Sequence, residues 1–167
     1  MGDTISFMLK SASTQILPAM ASALKKGRNY AIDEWVEESI LLSERLYPDM
    51  LPLLNQYQLA ADTVARGAAR VAGIEMPSFP DDETSVDELL MRLEKSNEYV
   101  QAFDDADLDA NARTVLEIPL GPMTVNWEGR QYLATFILPN LHFHASIAFA
   151  LLRHQGVEIG KRDFLMA

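Results

Sequence analysis

Hydrophobic residues recur along this chain mostly at three- and four-residue spacing, which is the period of an amphipathic helix. The pattern predicts a first helix from Thr4 to Lys26. Asp3 or Thr4 can cap its start, and Gly27 follows its last turn. Pro18 lies inside this run and should bend the helix, because proline removes one backbone donor.

A second long helix is predicted from Asp49 to Ala72, after a short helical piece from Asp33 to Glu44. Gly73 is placed to end the long helix. Several of its residues are small enough to let a neighbouring helix approach closely. These residues are Ala60, Ala61, Ala65, Gly67, Ala68 and Ala69.

The third helix is predicted from Ser85 to Phe103, with Thr84 or Ser85 as its cap and Glu88 in position to complete a capping box. The charge run "DDADLDANAR" follows. It lacks the central glycine and the terminal glutamate of a calcium-binding loop, so we expect a solvated loop there.

The segment "TVLEIPLGPMTVNW" departs from the helical period and predicts two short extended segments around a turn. A last helix should then run from Gly129 to His154, interrupted or kinked at Pro139 and ended by Gly156. The apolar tail residues Phe164, Leu165 and Met166 are predicted to dock on the bundle or on a neighbouring subunit.

Four main helices with a long connection between the third and the fourth indicate an all-α bundle that carries a short extended or hairpin insertion. The chain has 167 residues, and 49% of them are hydrophobic. That length and composition fit one globular domain spanning residues 1–167.

Charge and composition exclude several function classes. A net charge of −10 argues against nucleic acid or an anionic membrane as the main partner. The absence of cysteine excludes disulfides, thiolate metal sites and thiol nucleophiles. We find no signal peptide and no window of roughly 18 apolar residues that would span a membrane. A soluble cytoplasmic protein is therefore expected.

All three histidines lie in "NLHFHASIAFALLRHQG", which suggests a metal site. On a straight helix, however, His142 lies about 160° from His144, and His154 lies about 80° from it and further along. Only His144 follows the apolar stripe. We expect His142 and His154 on the surface, and His144 either as a buried hydrogen-bonded histidine or as one ligand whose partners come from other helices.

Two longer segments, "PNLHFHASIAFALLRHQGVEIGKRDFL" and "RLYPDMLPLLNQYQLAADTVARGAARVAG", resemble a bacterial family of unknown function in the DinB/YfiT-like superfamily. The resemblance implies an up-down-down-up four-helix bundle, often a homodimer. Many superfamily members bind zinc or nickel through three histidines. One comes from the second helix and two from a His-x-x-x-His pair on the fourth.

Aligned on "LLRHQG", His144 takes the second position of that pair and Asn140 the first. Gln56, about 60° from the inner face of the second helix, is the stand-in for the remaining histidine. Neutral amides are poor ligands for zinc or nickel. The resemblance thus implies a degenerate metal site with no metal expected, His144 being the ligand if one is bound. Gln56, Asn140 and His144 would instead form a buried polar network or, with Tyr57, a small-molecule pocket.

Polar residues elsewhere on the second helix are expected to have structural roles. Asp62, about 180° from Leu53, should face solvent or a dimer partner, and Gln58 lies about 140° from Leu53. Arg45 and Asp49 are predicted to brace the turn into this helix.

Three interpretations of function remain open from the sequence. The first is a bundle without a working metal that binds a small molecule or acts through its dimer surface. The second is an altered-site enzyme, a transferase, isomerase or hydrolase, in which His144 serves as base or single metal ligand. The third is a structural or assembly protein without a pocket.

Overall fold

The computed structural model describes residues 5–166 of the chain. Two antiparallel strands, β1 (Val115–Leu120) and β2 (Met123–Glu128), form a hairpin. The helices are α1 (Ile5–Asp33), α2 (Glu38–Ser43), α3 (Leu53–Ala72), α4 (Val86–Gln101), α5 (Asp105–Ala110), α6 (Gly129–Tyr132), α7 (Leu138–Gln155) and α8 (Lys161–Leu165). The prediction of a mainly helical chain with one short extended insertion is confirmed.

Helix α3 is the centre of the packing. It contacts α1, α4 and α7, and it is buried on almost every side because its small residues let these helices approach. Helices α3 and α7 are antiparallel, since Asn140 meets Thr63 while His144, further along α7, meets the earlier residue Gln56. The buried core includes the predicted inner face of α3: Leu53, Tyr57, Ala60, Val64, Ala68 and Val71.

Helix α1 continues through Pro18 and past Gly27 to Asp33, so the predicted end at Lys26 is wrong. Gly27 is buried against α7, and a Cβ added there would lie 2.7 Å from Leu152 Cδ2. The glycine therefore serves close packing of Leu152 against α1 rather than a helix end.

Trp35 makes the actual turn after α1. Its φ of 57° lies in the left-handed region, and Val36 N donates to Ala31 O at 2.8 Å across the turn. Glycine usually occupies such a position, because a Cβ there costs roughly 1–2 kcal/mol. Trp35 is nevertheless 95% exposed, so packing of its side chain does not offset this cost.

The start of α1 is completed from a distant part of the chain. Asp109 accepts hydrogen bonds from Ile5 N at 2.9 Å, Ser6 N at 3.0 Å and the Ser6 hydroxyl at 2.7 Å. The predicted caps Asp3 and Thr4 lie outside the described residues.

Asp109 belongs to α5, which forms inside the charge run expected to be a loop. That expectation is wrong because Leu108 is fully buried and anchors the turn, although Asp104, Asp105 and Asp107 remain exposed. Leu108 and the hydrogen bonds from α1 to Asp109 together fix this segment against the core.

The other helix ends follow the sequence signals closely. Ser85 and Glu88 form the predicted capping box of α4, and Gly73, with φ 73°, ends α3. The predicted start of the second long helix at Asp49 is wrong: α3 begins at Leu53, because Pro52 is extended and stands before the first turn.

The last long helix is interrupted just before Pro139, near the predicted position. Leu133–Ile137 form a π-helical turn in which Leu138 N donates to Leu133 O. Proline has no N–H to continue the regular ladder, and the wider turn accommodates the missing donor. Leu133 and Ile137 stay buried on the same side as His144.

The C-terminal tail docks on the core through Phe164, whose ring packs edge-to-face on Phe149 with centroids 5.9 Å apart. Lys26 and Asp163 form an ion pair beside this contact. Leu165 and Met166 are exposed, so of the three predicted tail residues only Phe164 docks within the chain.

Contrary to the sequence-based expectation that no window could span a membrane, residues Gly129–Gln155 are long and apolar enough, by length and composition alone, to cross a bilayer. The core helix of a globular domain passes the same test, so this is weak evidence for a membrane span. Here the helix packs its apolar face against α1 and α3.

Candidate functional site

The three histidines do not converge. His144 is buried with 8% of its surface exposed, whereas His142 and His154 are exposed, as helical geometry predicts. Across residues 5–166 no group of three or more metal-ligating side chains is arranged to hold an ion. Any chemistry at this place therefore depends on His144 and its immediate neighbours.

Gln56 of α3 is the hydrogen-bond partner of His144. Gln56 Oε1 lies 2.8 Å from His144 Nδ1, and Gln56 Nε2 donates to the backbone oxygen of Leu51 at 2.9 Å. A carbonyl oxygen can only accept, so this second bond fixes the orientation of the amide. Oε1 then faces the imidazole as an acceptor, and the proton of neutral His144 must be on Nδ1.

His144 Nε2 consequently carries a free lone pair. Nε2 has no hydrogen-bond partner among the described side chains and backbone groups. It is also not sealed from solvent. Burial lowers the pKa of His144, which favours the neutral imidazole. The site thus presents one oriented acceptor of hydrogen bonds or metal ions.

The loop before α3 holds this arrangement in place. Arg45 donates to Met50 O, and Leu53 N donates to Glu44 O at 2.9 Å, so the loop is closed at both ends. Arg45 braces the turn as predicted, whereas Asp49 is exposed. The braced loop presents the Leu51 oxygen to Gln56, which in turn orients His144.

Asn140 and Tyr57 make their hydrogen bonds elsewhere. Asn140 Nδ2 donates to Thr63 Oγ1 at 2.7 Å, two turns along α3 from Gln56. The Tyr57 hydroxyl donates to Met20 O in α1 at 3.1 Å. Of the four predicted pocket residues, the structure joins only Gln56 and His144.

The larger surface cavities lie away from this pair. One of them, about 620 Å³, is a groove between α1 and α4 lined by Leu17, Pro18 and Met91. The small void of about 10 Å³ beside Tyr57 and Ala145 is lined at its other side by Phe149 and Phe164. The tail ring thus helps to close the core near the histidine.

A second polar cluster, which the sequence reasoning missed, surrounds Arg92 of α4. The Arg92 side chain is 2% exposed and bonds Asp62 at 2.6 Å, Asp81 at 2.8 Å and Glu83 at 2.8 Å. It also donates to Pro80 O at 3.0 Å. The cluster ties the acidic loop between α3 and α4 to both helices.

This cluster overturns the expectation that Asp62 faces solvent or a dimer partner. Asp62 and Gln58 are both buried, and Gln58 donates to Glu83 at 2.8 Å. The helical-wheel argument assumed one inner face, but α3 is covered on several sides. The available signal was Arg92 itself, which lies on the apolar stripe of α4 between Leu89 and Ser96.

Burial and charge oppose each other within the Arg92 cluster. Burial raises the pKa of Asp62, and the Arg92 guanidinium counteracts only part of that effect. Burial also acts to raise the pKa of Glu83, but hydrogen bonds from Arg92 and Gln58 outweigh it, so this pKa is lowered. These contacts account for a role in stability, since both terminal nitrogens of Arg92 are bonded within the protein and only the buried Arg92 Nε has no partner.

Residues 9–165 match the DUF1993 domain of unknown function. The chain belongs to the DUF1993 family. A crystal structure of a DinB family member protein from Shewanella denitrificans is also similar. It shares 33% sequence identity, covers 95% of this chain and 89% of its own, and has a TM-score of 0.86. No match to a curated protein was found.

This DUF1993 chain is therefore DinB-like in structure over nearly its whole length. The predicted resemblance to an uncharacterised DinB-like family is confirmed at that level.

Proposed function

We propose that this DUF1993 protein binds a small, largely apolar molecule carrying one N–H or O–H donor, with His144 Nε2 as the acceptor. The observation that carries the proposal is the chain of bonds Leu51–Gln56–His144, which fixes the imidazole and leaves its outer nitrogen unpartnered. The ring of exposed Phe143 lies edge-on to His144, at 5.3 Å between centroids, and supplies an apolar neighbour.

The site derives, in this proposal, from a three-histidine metal centre of the DinB-like bundle. Gln56 and Asn140 stand where two of the histidines would be. Amide oxygens bind zinc and nickel weakly, and the Asn140 amide already bonds Thr63. The degenerate centre keeps a hydrogen-bonding function in place of metal binding, within a bundle of up-down-down-up topology. The antiparallel contact of α3 with α7 supports that topology.

A second candidate function is an enzyme with an altered site, in which His144 acts as base or as single ligand of zinc or nickel. The same free Nε2 favours it, because a neutral imidazole nitrogen is the form that binds metals and accepts protons.

Metal content measured by mass spectrometry separates the two candidates. Wild type, His144→Ala and the exposed-histidine control His142→Ala would be purified without a histidine tag and incubated with zinc and with nickel. We expect no stoichiometric metal in any of the three. One metal per chain in wild type and His142→Ala, lost in His144→Ala, would establish the altered-site interpretation.

Ligand binding is tested by the ¹⁵N resonances of His144. Neutral aromatic fragments with one donor, such as phenols and indoles, should shift the Nε2 resonance saturably. Matched fragments with the donor methylated should not. If no donor fragment shifts Nε2 and no metal binds, the Gln56–His144 pair is purely structural and the proposal fails.

The oligomeric state and the compartment complete the proposal: a homodimer in the bacterial cytoplasm. The resemblance to DinB-like proteins, which implies a homodimer in many members, supports the first point. Sedimentation equilibrium of the purified protein over a concentration series tests the first, and a monomer at every concentration would contradict it.

A further inference from the structure

The turn after α1 exposes an apolar surface that the histidine site does not use. Trp35 is 95% exposed and Ile32 is 66% exposed. Both line a concavity of about 310 Å³, together with Ala31, Val36 and Glu37. We call the side chains of Ile32, Trp35 and Val36 the Trp35 face.

The backbone under this face is strained for the residue it carries. Trp35 has φ 57°, a conformation that glycine adopts without steric cost and tryptophan does not. Almost none of the indole is buried, so no packing within the chain compensates for the strain. An exposed aromatic residue at a strained position indicates a role outside the folding of the domain.

The rim of the face is acidic. Glu37 and Glu38 line the concavity, and Asp33 and Glu34 are exposed immediately before Trp35. The one basic lining residue, Arg28, is already held by Asp87 at 2.6 Å. A partner that fits must therefore bring apolar side chains flanked by positive charge.

The same charges disfavour two other occupants. A second copy docking face to face would bring two acidic rims together, and an anionic membrane would be repelled. Tryptophan is among the residues that contribute most to protein–protein binding when a partner covers them. We propose that the Trp35 face binds a basic amphipathic helix of another protein.

The test uses two synthetic helical peptides with the same leucine face, one with lysine and one with glutamate on the polar face. The protein carries Trp127→Phe, so that Trp35 is the only indole and its fluorescence reports binding. We expect saturable binding of the lysine peptide with a blue shift that weakens as salt is raised. The glutamate peptide should not bind.

Two substitutions, one at Trp35 and one at a control position, extend the test. Trp35→Gly in the otherwise unaltered chain should lower affinity for a dye-labelled lysine peptide by at least about tenfold. It should also raise the melting temperature or leave it unchanged, because glycine relieves the left-handed strain. Phe7→Ser, which removes another exposed aromatic residue of α1, is the matched control and should bind as wild type does.

Several results would overturn the proposal. These are absence of saturable lysine-peptide binding, equal binding of both peptides, or full binding by Trp35→Gly. A lowered melting temperature of Trp35→Gly would show that the indole stabilises the fold after all. If Trp35→Gly converts a dimer into a monomer in sedimentation, the occupant is a second copy and not a basic partner.

Discussion

Asp62 of α3 accepts a 2.6 Å hydrogen bond from the guanidinium of Arg92 in α4. The two side chains are 13% and 2% exposed, and Glu83, at 11%, accepts two further bonds from the same arginine. The Arg92 cation thus joins two helices and the loop between them. Removing it would leave the Asp62 and Glu83 carboxylates buried without a counter-ion.

Replacing this arginine should be severely destabilising. We expect Arg92→Met to lower the free energy of unfolding by about 3–5 kcal/mol, because the carboxylates lose their counter-ion without regaining water. Urea denaturation of wild type and variant measures the difference. Adding Asp62→Asn to Arg92→Met should cost less than the sum of the single changes.

The matched control is Arg28→Met, which breaks the exposed ion pair with Asp87. Exposed pairs contribute about 0–1 kcal/mol, so this variant should stay close to wild type. Equal losses for Arg28→Met and Arg92→Met would show that burial of the cluster has no energetic consequence.

Removing the carboxylate that caps α1 should also weaken the fold. Asp109→Ala should cost about 1–2 kcal/mol, because two backbone N–H groups and the Ser6 hydroxyl lose their acceptor. Asp107→Ala, an exposed carboxylate of the same short helix, should change stability little. Thermal unfolding of both variants measures the difference. Similar melting temperatures for the two variants would contradict a stabilising role of the Asp109 cap.

The same carboxylate should contribute to acid sensitivity. Burial acts to raise the pKa of Asp109, but the hydrogen bonds from Ser6 and Ile5 outweigh it and lower the pKa. Its contribution is therefore full above the unfolded value of about 3.9 and is lost as pH falls through the lower folded value. Asp109→Asn should lose less stability than wild type over that interval in urea titrations at stepped pH.

His144 should remain neutral below the pH at which an unperturbed histidine is protonated. Burial lowers its pKa, so the folded state resists protonation. Stability linked to His144 is full above the unfolded value of about 6.5 and is lost as pH falls toward the folded value. Two-bond ¹H–¹⁵N spectra should show the Nδ1–H tautomer at neutral pH.

Assignment of those signals uses His144→Gln, whose spectrum lacks them. A proton on Nε2 at neutral pH would contradict the orientation that Leu51 and Gln56 impose. A charged ring above pH ~6.5 would contradict the effect of burial.

Truncating the docked tail ring should destabilise the core moderately. Phe164→Ala removes a half-buried ring and its contact with Phe149, which we expect to cost about 1–3 kcal/mol. Met166→Ala, at an exposed neighbour, should have little effect. If chemical denaturation gives the same stability for both variants, the docking of the tail contributes nothing.

Local signals in the sequence were sufficient for much of the fold. The period of the apolar residues located the long helices, the Ser85–Glu88 pair located the start of α4, and Gly73 located the end of α3. Each of these depends on residues within a turn or two of one another, which is why they can be read from one chain.

Contacts between distant segments could not be predicted in this way. The burial of Asp62 depends on Arg92 from another helix, and Gly27 resembles a helix end unless Leu152 is known to lie against it. At the histidine site, helical spacing placed His144 on the inner face, whereas Gln56 was identified through the family resemblance. The partner of Asn140 depends on how α7 is placed along α3, which no local pattern encodes.

The contact between Asp109 and the first turn of α1 joins residues 104 positions apart in the chain. During synthesis α1 emerges from the ribosome long before this carboxylate does. Until then the backbone N–H groups of its first turn must donate to water or to other acceptors. Helix α1 is thus made before α5 but is completed only after α5 has formed. A nascent chain arrested before residue 109 would carry an α1 with a frayed beginning, however well the rest of that helix had formed.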